Sequence, residues 1–212
     1  MKVLELFAGS RSFSKVAEGL LMDTFSVDWE DYDGIDLVTD VATLKIEDIP
    51  FVPDIIWASP DCTTYTIAAI STHRNGVEPK SEYAKQCDTT NQHFIGLIKK
   101  WLELNPKMIF FIENPRGMLR KMPWMQEFKR HTIWYCQYGD DRAKPTDIWT
   151  NSTKWIPRPV CYNGNTECHH QPAPRGSKTG TQGRKGAYDR SRIPDALCFE
   201  ILVSCYPNQN SL

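Results

Sequence analysis

Two short runs constrain this chain most. Ile55–Ala58 is apolar at every position, and residues 107–112 repeat the pattern as Met-Ile-Phe-Phe-Ile after a single lysine. A strand with one wet face alternates polar and apolar residues. A strand apolar throughout is covered on both faces, as in parallel sheets flanked by helices. Neither run approaches the roughly 20 residues that span a bilayer.

The surrounding pattern agrees. Residues 2–7 form a β-type run ending in Ala8-Gly9-Ser10, followed by a helical spacing with Phe13, Val16, Ala17 and Leu20 on one face. Residues 25–28 and 37–40 read as further strands, residues 94–104 as a helix stopped by Asn105-Pro106, and residues 132–137 and 148–150 as the last strands. Strands alternating with helices predict an α/β fold of the Rossmann-like kind, a mostly parallel sheet with helices on both faces. At 212 residues the chain has room for one substantial core. The expected organisation is a catalytic domain over residues 1–154, a small irregular basic lobe over 155–192, and a C-terminal helix within 193–212 that packs back on the first unit. Residues 71–88 read as a long polar connection, and long loops in compact domains are usually functional or mobile.

Net charge is −1, so the whole molecule is not a polycation, but residues 151–190 carry seven basic side chains against two acidic ones. Seven scattered cysteines form no disulfide-like framework, and the N-terminus lacks the apolar stretch of a signal peptide. A reducing cytoplasm, with no membrane partner, is the expectation.

Three features point to a ligand at the first strands. Ala8-Gly9-Ser10 is a small-residue turn into a helix, whose N-terminus favours negative groups. Asp28 ends the second strand, where a carboxylate takes the hydroxyls of a ribose, and Asp40 ends the third, where one accepts from an exocyclic amine. An ordinary tight turn and strand-end solvation explain each feature singly; their order is what argues for a nucleotide. Further on, Cys62 follows Pro60 on a polar Asp-Cys-Thr-Thr loop, and Glu113 ends an apolar strand. Both fit a reactive site better than a packed core. Cys87, Cys136, Cys198 and Cys205 read as structural cysteines.

In this order the segments resemble the DNA cytosine-5 methyltransferase family, in particular its short phage-type members. Phe7-Ala8-Gly9-Ser10 is similar to the first cofactor motif, Asp28-Trp29 and Asp40-Val41 to the second and third, and Ser59-Pro60-Asp61-Cys62 to the nucleophile motif. Glu113-Asn114-Pro115 resembles the glutamate motif, and Tyr138-Gly139-Asp140-Asp141-Arg142 the late arginine motif. Asp61 stands where the family usually has proline, Pro115 where it has valine, and only Arg142 and Lys144 remain of a Gln-Arg-Arg run. The resemblance implies S-adenosylmethionine as cofactor, held by Phe7, Ala8, Gly9, Ser10, Asp28, Trp29, Asp40, Val41 and Pro60. It implies a flipped-out cytosine in duplex DNA as substrate, attacked by Cys62 while Glu113 holds N3 and the amine, and Arg142 holds O2 or orients Glu113. It also implies a bacterial host or phage-infected cell.

In the basic lobe, Arg175, Lys178 and Arg184, spaced by glycines, suit phosphate contacts, although a solvated surface loop has the same composition. Arg74, after the nucleophile loop, is the fourth candidate DNA contact. Cys161, Cys168, His169 and His170 are zinc-type residues, but the cysteine gap exceeds a finger's usual spacing, and an ordinary polar loop is the reading favoured there. The rivals to a DNA methyltransferase are a catalytically silent nucleic-acid-binding module and an enzyme acting on RNA or free cytosine nucleotides.

Overall fold

The computed structural model describes residues 1–171 and 191–207. Among the described residues, nine strands and four helices follow in chain order: β1 (Lys2–Leu6), α1 (Ser12–Gly19), β2 (Asp23–Asp28), β3 (Leu37–Val38), β4 (Ile55–Ala58), α2 (Ile70–His73), β5 (Arg74–Asn75), β6 (Glu78–Pro79), α3 (Glu82–Leu104), β7 (Ile109–Pro115), β8 (Arg130–Trp134), β9 (Pro145–Thr150) and α4 (Asp195–Ser204). Seven strands form one sheet in the order β3-β2-β1-β4-β7-β9-β8. The first five are parallel, and β9 runs antiparallel to both β7 and β8. The α/β sheet expected from the sequence is present.

Alternation along the central strands divides the core. Leu4, Leu6, Ile56, Ala58, Phe110 and Ile112 face α3, where Phe94, Ile95, Ile98 and Trp101 cover them. Val3, Ile55, Trp57 and Phe111 face α1 and α4, meeting Phe13, Ala17, Leu197 and Ile201. All four residues of β4 are buried, which is why that segment shows no polar–apolar alternation.

The sheet's parallel strands end at one edge, and the order reverses between β1 and β4. Ligands of open α/β sheets bind at such a reversal, beyond the carboxyl ends of the strands. The segments after β1, β2, β3 and β4, together with Glu113 near the end of β7, share that edge.

Residues 71–88 differ from the expected loop. They hold most of α2, the β5–β6 hairpin and the first turns of α3, whose cap is Ser81 accepting from the Ala84 N–H at 3.1 Å. The early part of α3 buries Ala84, Cys87, Asp88 and Asn91. Two of those four inward residues, Asp88 and Asn91, are polar, which breaks the hydrophobic periodicity there. At the other end, β8 stops at Trp134, and Tyr135–Tyr138 form a 3₁₀ turn instead of continuing the strand.

Candidate active site

The turn after β1 is conformationally unusual. Phe7 (φ 57°), Gly9 (φ 49°) and Arg11 (φ 54°) all have left-handed backbones. Such a conformation costs a bulky residue energy and persists only where the surroundings impose it. Gly9 takes it without a side chain, and its N–H donates to Asp28 Oδ2 at 2.8 Å while the Glu30 N–H donates to Oδ1 at 3.0 Å. Asp28 therefore shapes the turn and keeps only its remaining lone pairs for a ligand. Beside it Trp29 is 71% exposed, an indole presented to solvent. Asp40 is exposed, while Val41 is buried in the core and offers only its backbone. Phe7 packs edge-on against Phe94 with ring centres 5.4 Å apart.

The helix N-terminus expected to face the ligand is already occupied. Glu5, buried within β1, accepts from the Phe13 and Ser14 N–H groups at 3.2 and 2.8 Å. Burial pushes its carboxyl up to about 7, against the lowering effect of its contacts to Ser14 and Phe13. Next to the turn lies a cavity of about 280 Å³ lined by Ser10, Ser12, Lys15, Val16, Arg192 and Asp195. A second, of about 410 Å³, lies between residues 138–141 and 192–196, and neither is lined by Cys62 or Glu113.

The loop after β4 brings Cys62 to the same edge. Burial pushes its thiol up to about 11; Lys144 nearby acts to lower it, and Glu113 and Asp61 act to raise it. Those influences place Cys62, Glu113 and Lys144 in one neighbourhood. The Asp61 carboxylate is engaged elsewhere, accepting from the Thr63 N–H at 2.6 Å and from the Tyr83 hydroxyl. The two motif segments are tied directly, since Asn114 Nδ2 donates to the Pro60 carbonyl at 2.9 Å. Gly117 must be glycine for packing: a Cβ there would stand 2.3 Å from the Tyr65 carbonyl oxygen, behind the nucleophile loop.

Glu113 is buried, and its Oε1 accepts from the Tyr135 hydroxyl at 2.8 Å. Lys144 Nζ lies 3.8 Å from the same oxygen. The cation lying against Glu113 is thus Lys144. Arg142 is buried and bonded to Asp140, with Nε 2.8 Å from Oδ1, and donates to the Arg192 carbonyl at 3.1 Å. Its guanidinium lies over the Tyr135 ring, 5.5 Å from the centre, so it bears on Glu113 through Tyr135. Tyr135 carried no signal in the sequence, and Lys144 was visible only as a basic residue near Arg142.

Arg74 requires a correction. It is not a surface cation poised over DNA. It is 3% exposed, paired with both oxygens of Asp88 at 2.6 and 3.0 Å, and donates to the Thr64 carbonyl at 2.9 Å. Residue spacing could not show that the hairpin turns this side chain inward between the nucleophile loop and α3. Arg175, Lys178 and Arg184 lie outside the described residues.

The zinc-type residues are also arranged differently from the sequence pattern. His169 turns to the Asp140 carbonyl at 3.0 Å, whereas Cys161, Cys168 and His170 converge on Cys136.

No protein-family model matches the chain. It is 27% identical over 224 residues to a frog virus 3 (isolate Goorha) protein designated "Probable DNA (cytosine-5)-methyltransferase", across 97% of this chain and 100% of that relative. The resemblance to the cytosine-5 methyltransferases is borne out. Among solved structures, a methyltransferase of Entamoeba histolytica aligns with a TM-score of 0.54 at 14% identity, over 76% of this chain and 56% of its own. A prophage-encoded Escherichia coli protein assigned as a DNA modification methyltransferase aligns at 0.51 and 13% identity, over 77% and 52%. The chain thus has the methyltransferase fold, and it spans about half the length of these two structures. Among the described residues, no helix is long and apolar enough to cross a membrane.

Proposed function

We propose that the chain transfers a methyl group from S-adenosylmethionine to C5 of a flipped-out cytosine in DNA. The observation that carries this reading is the convergence of Cys62, Glu113 and Lys144 at the sheet edge that also bears the Gly9 turn. The likeness to the viral relative over almost the full chain supports it.

The residues fit the cofactor. The left-handed Gly9 turn allows close backbone approach, Trp29 offers an exposed aromatic face, and Asp40 an exposed carboxylate. Lys15 and Arg192 line the adjoining cavity and would hold the carboxylate of the amino-acid portion. Bound there, S-adenosylmethionine supplies an electrophilic methyl group.

Cytosine C5 is a poor nucleophile until C6 is attacked. Cys62 would lose its proton and add to C6 as the thiolate, placing an electron pair at C5. Its resting thiol is held protonated by burial, so Lys144 is the group that favours the reactive form. Glu113, steadied by Tyr135, would share a proton with N3 and accept from the exocyclic amine as negative charge moves into the ring. After methyl transfer, water would take the C5 proton, the C5–C6 double bond would re-form, and the C6–S bond would break to return the Cys62 thiolate. The base must leave the stack for this attack. Arg175, Lys178 and Arg184 are the proposed phosphate contacts.

Incubation with labelled S-adenosylmethionine and cytosine-containing duplex DNA tests the reading, beside a Cys62→Ser control and parallel arms of single strand, RNA and cytidine nucleotides. Label in 5-methylcytosine of duplex DNA, lost in the control, is the expected result. Label only in RNA or nucleotide would overturn the substrate, and no label in any arm despite bound cofactor would overturn the activity.

A further inference from the structure

The third cluster of buried residues in the molecule has the composition of a metal centre. The metal-binding atoms of Cys136, Cys161, Cys168 and His170 all lie within 4.8 Å of one another. Cys161 Sγ and His170 Nδ1 are 3.8 Å apart. A tetrahedral zinc site, with bonds of about 2.3 Å to sulfur and 2.0–2.1 Å to nitrogen, has edges of roughly 3.6–3.8 Å. The four groups therefore need to close by at most about 1 Å to enclose an ion. We propose that these residues bind one structural Zn²⁺ as a Cys₃His site.

Three observations favour zinc over a chance cluster. Cys136, Cys161 and His170 are buried and Cys168 is half-buried, the three cysteines packing with Trp134 and Ala143, so three of the four coordinating side chains are held away from solvent. The set is closed, with four protein ligands and none left for a substrate, as in structural rather than catalytic zinc sites. Amide donors also approach the sulfurs: Asn165 Nδ2 is 3.5 Å from Cys161 Sγ, and Gln137 Nε2 is 3.9 Å from Cys168 Sγ. Such outer donors accommodate the charge of bound thiolates and orient them. Binding releases the thiol protons of the three cysteines, and His170 binds as the neutral imidazole.

The position gives the ion a purpose. Cys136 belongs to the Tyr135–Tyr138 turn, whose first residue holds Glu113, and the other three ligands come from an irregular segment lacking helix or strand. That segment is already tied by single hydrogen bonds such as that of His169 to the Asp140 carbonyl, and zinc would fasten it to the turn as well. In sequence it stands immediately before the basic stretch containing Arg175, Lys178 and Arg184.

The test is zinc content of the full chain purified under reducing conditions from zinc-supplemented medium, with thiol titration before and after chelation. We expect one zinc per chain, three thiols that react only once zinc is stripped, and the visible absorption of a tetrahedral cobalt thiolate after Co²⁺ exchange. Cys168→Ser, at the most exposed ligand, should retain less than about a tenth of the metal, while Cys205→Ser, a buried cysteine remote in sequence, should retain it all. Wild-type protein with less than about a tenth of a zinc per chain, or with two of the three cysteines joined as a disulfide, would overturn the assignment. Metal content and thiol reactivity are read independently of any methyl transfer.

Discussion

Replacing Arg74 by methionine separates two roles that the sequence could not distinguish. The guanidinium is fully buried, and its partner Asp88 is nearly so. Nη2 and Nη1 pair with the two carboxylate oxygens at 2.6 and 3.0 Å, Nε reaches the Thr64 carbonyl, and the group sits 4.2 Å from the centre of the Tyr65 ring. Methionine preserves much of the stem and removes every one of these bonds. Asp88 is then left with the Tyr65 hydroxyl at 2.6 Å as its remaining strong partner among these groups. Stranding one member of a buried pair costs about 3–5 kcal/mol. Urea denaturation followed by tryptophan fluorescence should show a loss of that size. Arg74→Met combined with Asp88→Asn should lose less than the two single changes together, since neither charge is then stranded, with a coupling of about 1–3 kcal/mol. Lys85→Met, an exposed cation on the same helix as Asp88, should fall within about 0.5 kcal/mol of the parent. If Arg74→Met also stayed within about 0.5 kcal/mol while weakening DNA binding, the inward placement of Arg74 would be refuted.

Further outcomes follow from the same geometry. Lys144→Met removes the cation that opposes the raised pKa of Cys62, so alkylation of Cys62 by iodoacetamide at neutral pH should slow about tenfold or more; an unchanged rate would remove Lys144 from the site. In the parent, that alkylation rate should keep rising with pH toward about 11, because the thiolate is the reacting form. Gly117→Ala puts a methyl group against the Tyr65 carbonyl and should cost about 1–3 kcal/mol, read by denaturation; a neutral effect would show that the nucleophile loop yields easily. Glu5 has a folded-state pKa of about 7 against an ordinary 4.5, so the folded chain holds its proton more tightly and stability falls as pH rises through that window. Glu5→Gln should abolish this slope, so its stability relative to the parent should improve between those values and level off above; a pH-independent difference would contradict the buried, proton-holding carboxyl.

What could be read along the chain was whatever lies in consecutive residues. The unbroken apolar runs of β4 and β7 indicated a parallel sheet, because both faces of such strands must be covered. The candidate nucleophile and glutamate were legible for a related reason: Cys62 and Glu113 stand where apolar strands give way to polar residues, which in this sheet is the edge proposed to hold the ligands. The first half of α3 was hidden because Asp88 and Asn91 share its inward face with Ala84 and Cys87 and interrupt the apolar pattern.

Tertiary structure decided which separated side chains meet. It turned Arg74 toward Asp88, put Lys144 rather than Arg142 against Glu113, and engaged Asp61 with Tyr83 beside the thiol. It also gathered Cys136 with Cys161, Cys168 and His170 across 25 to 34 positions of chain, passing over His169. Periodicity records which face of a strand or helix is buried, since that preference is local and repeats with the backbone. Pairing of charges and ligands depends on the crossing of distant segments, and no local repeat encodes it.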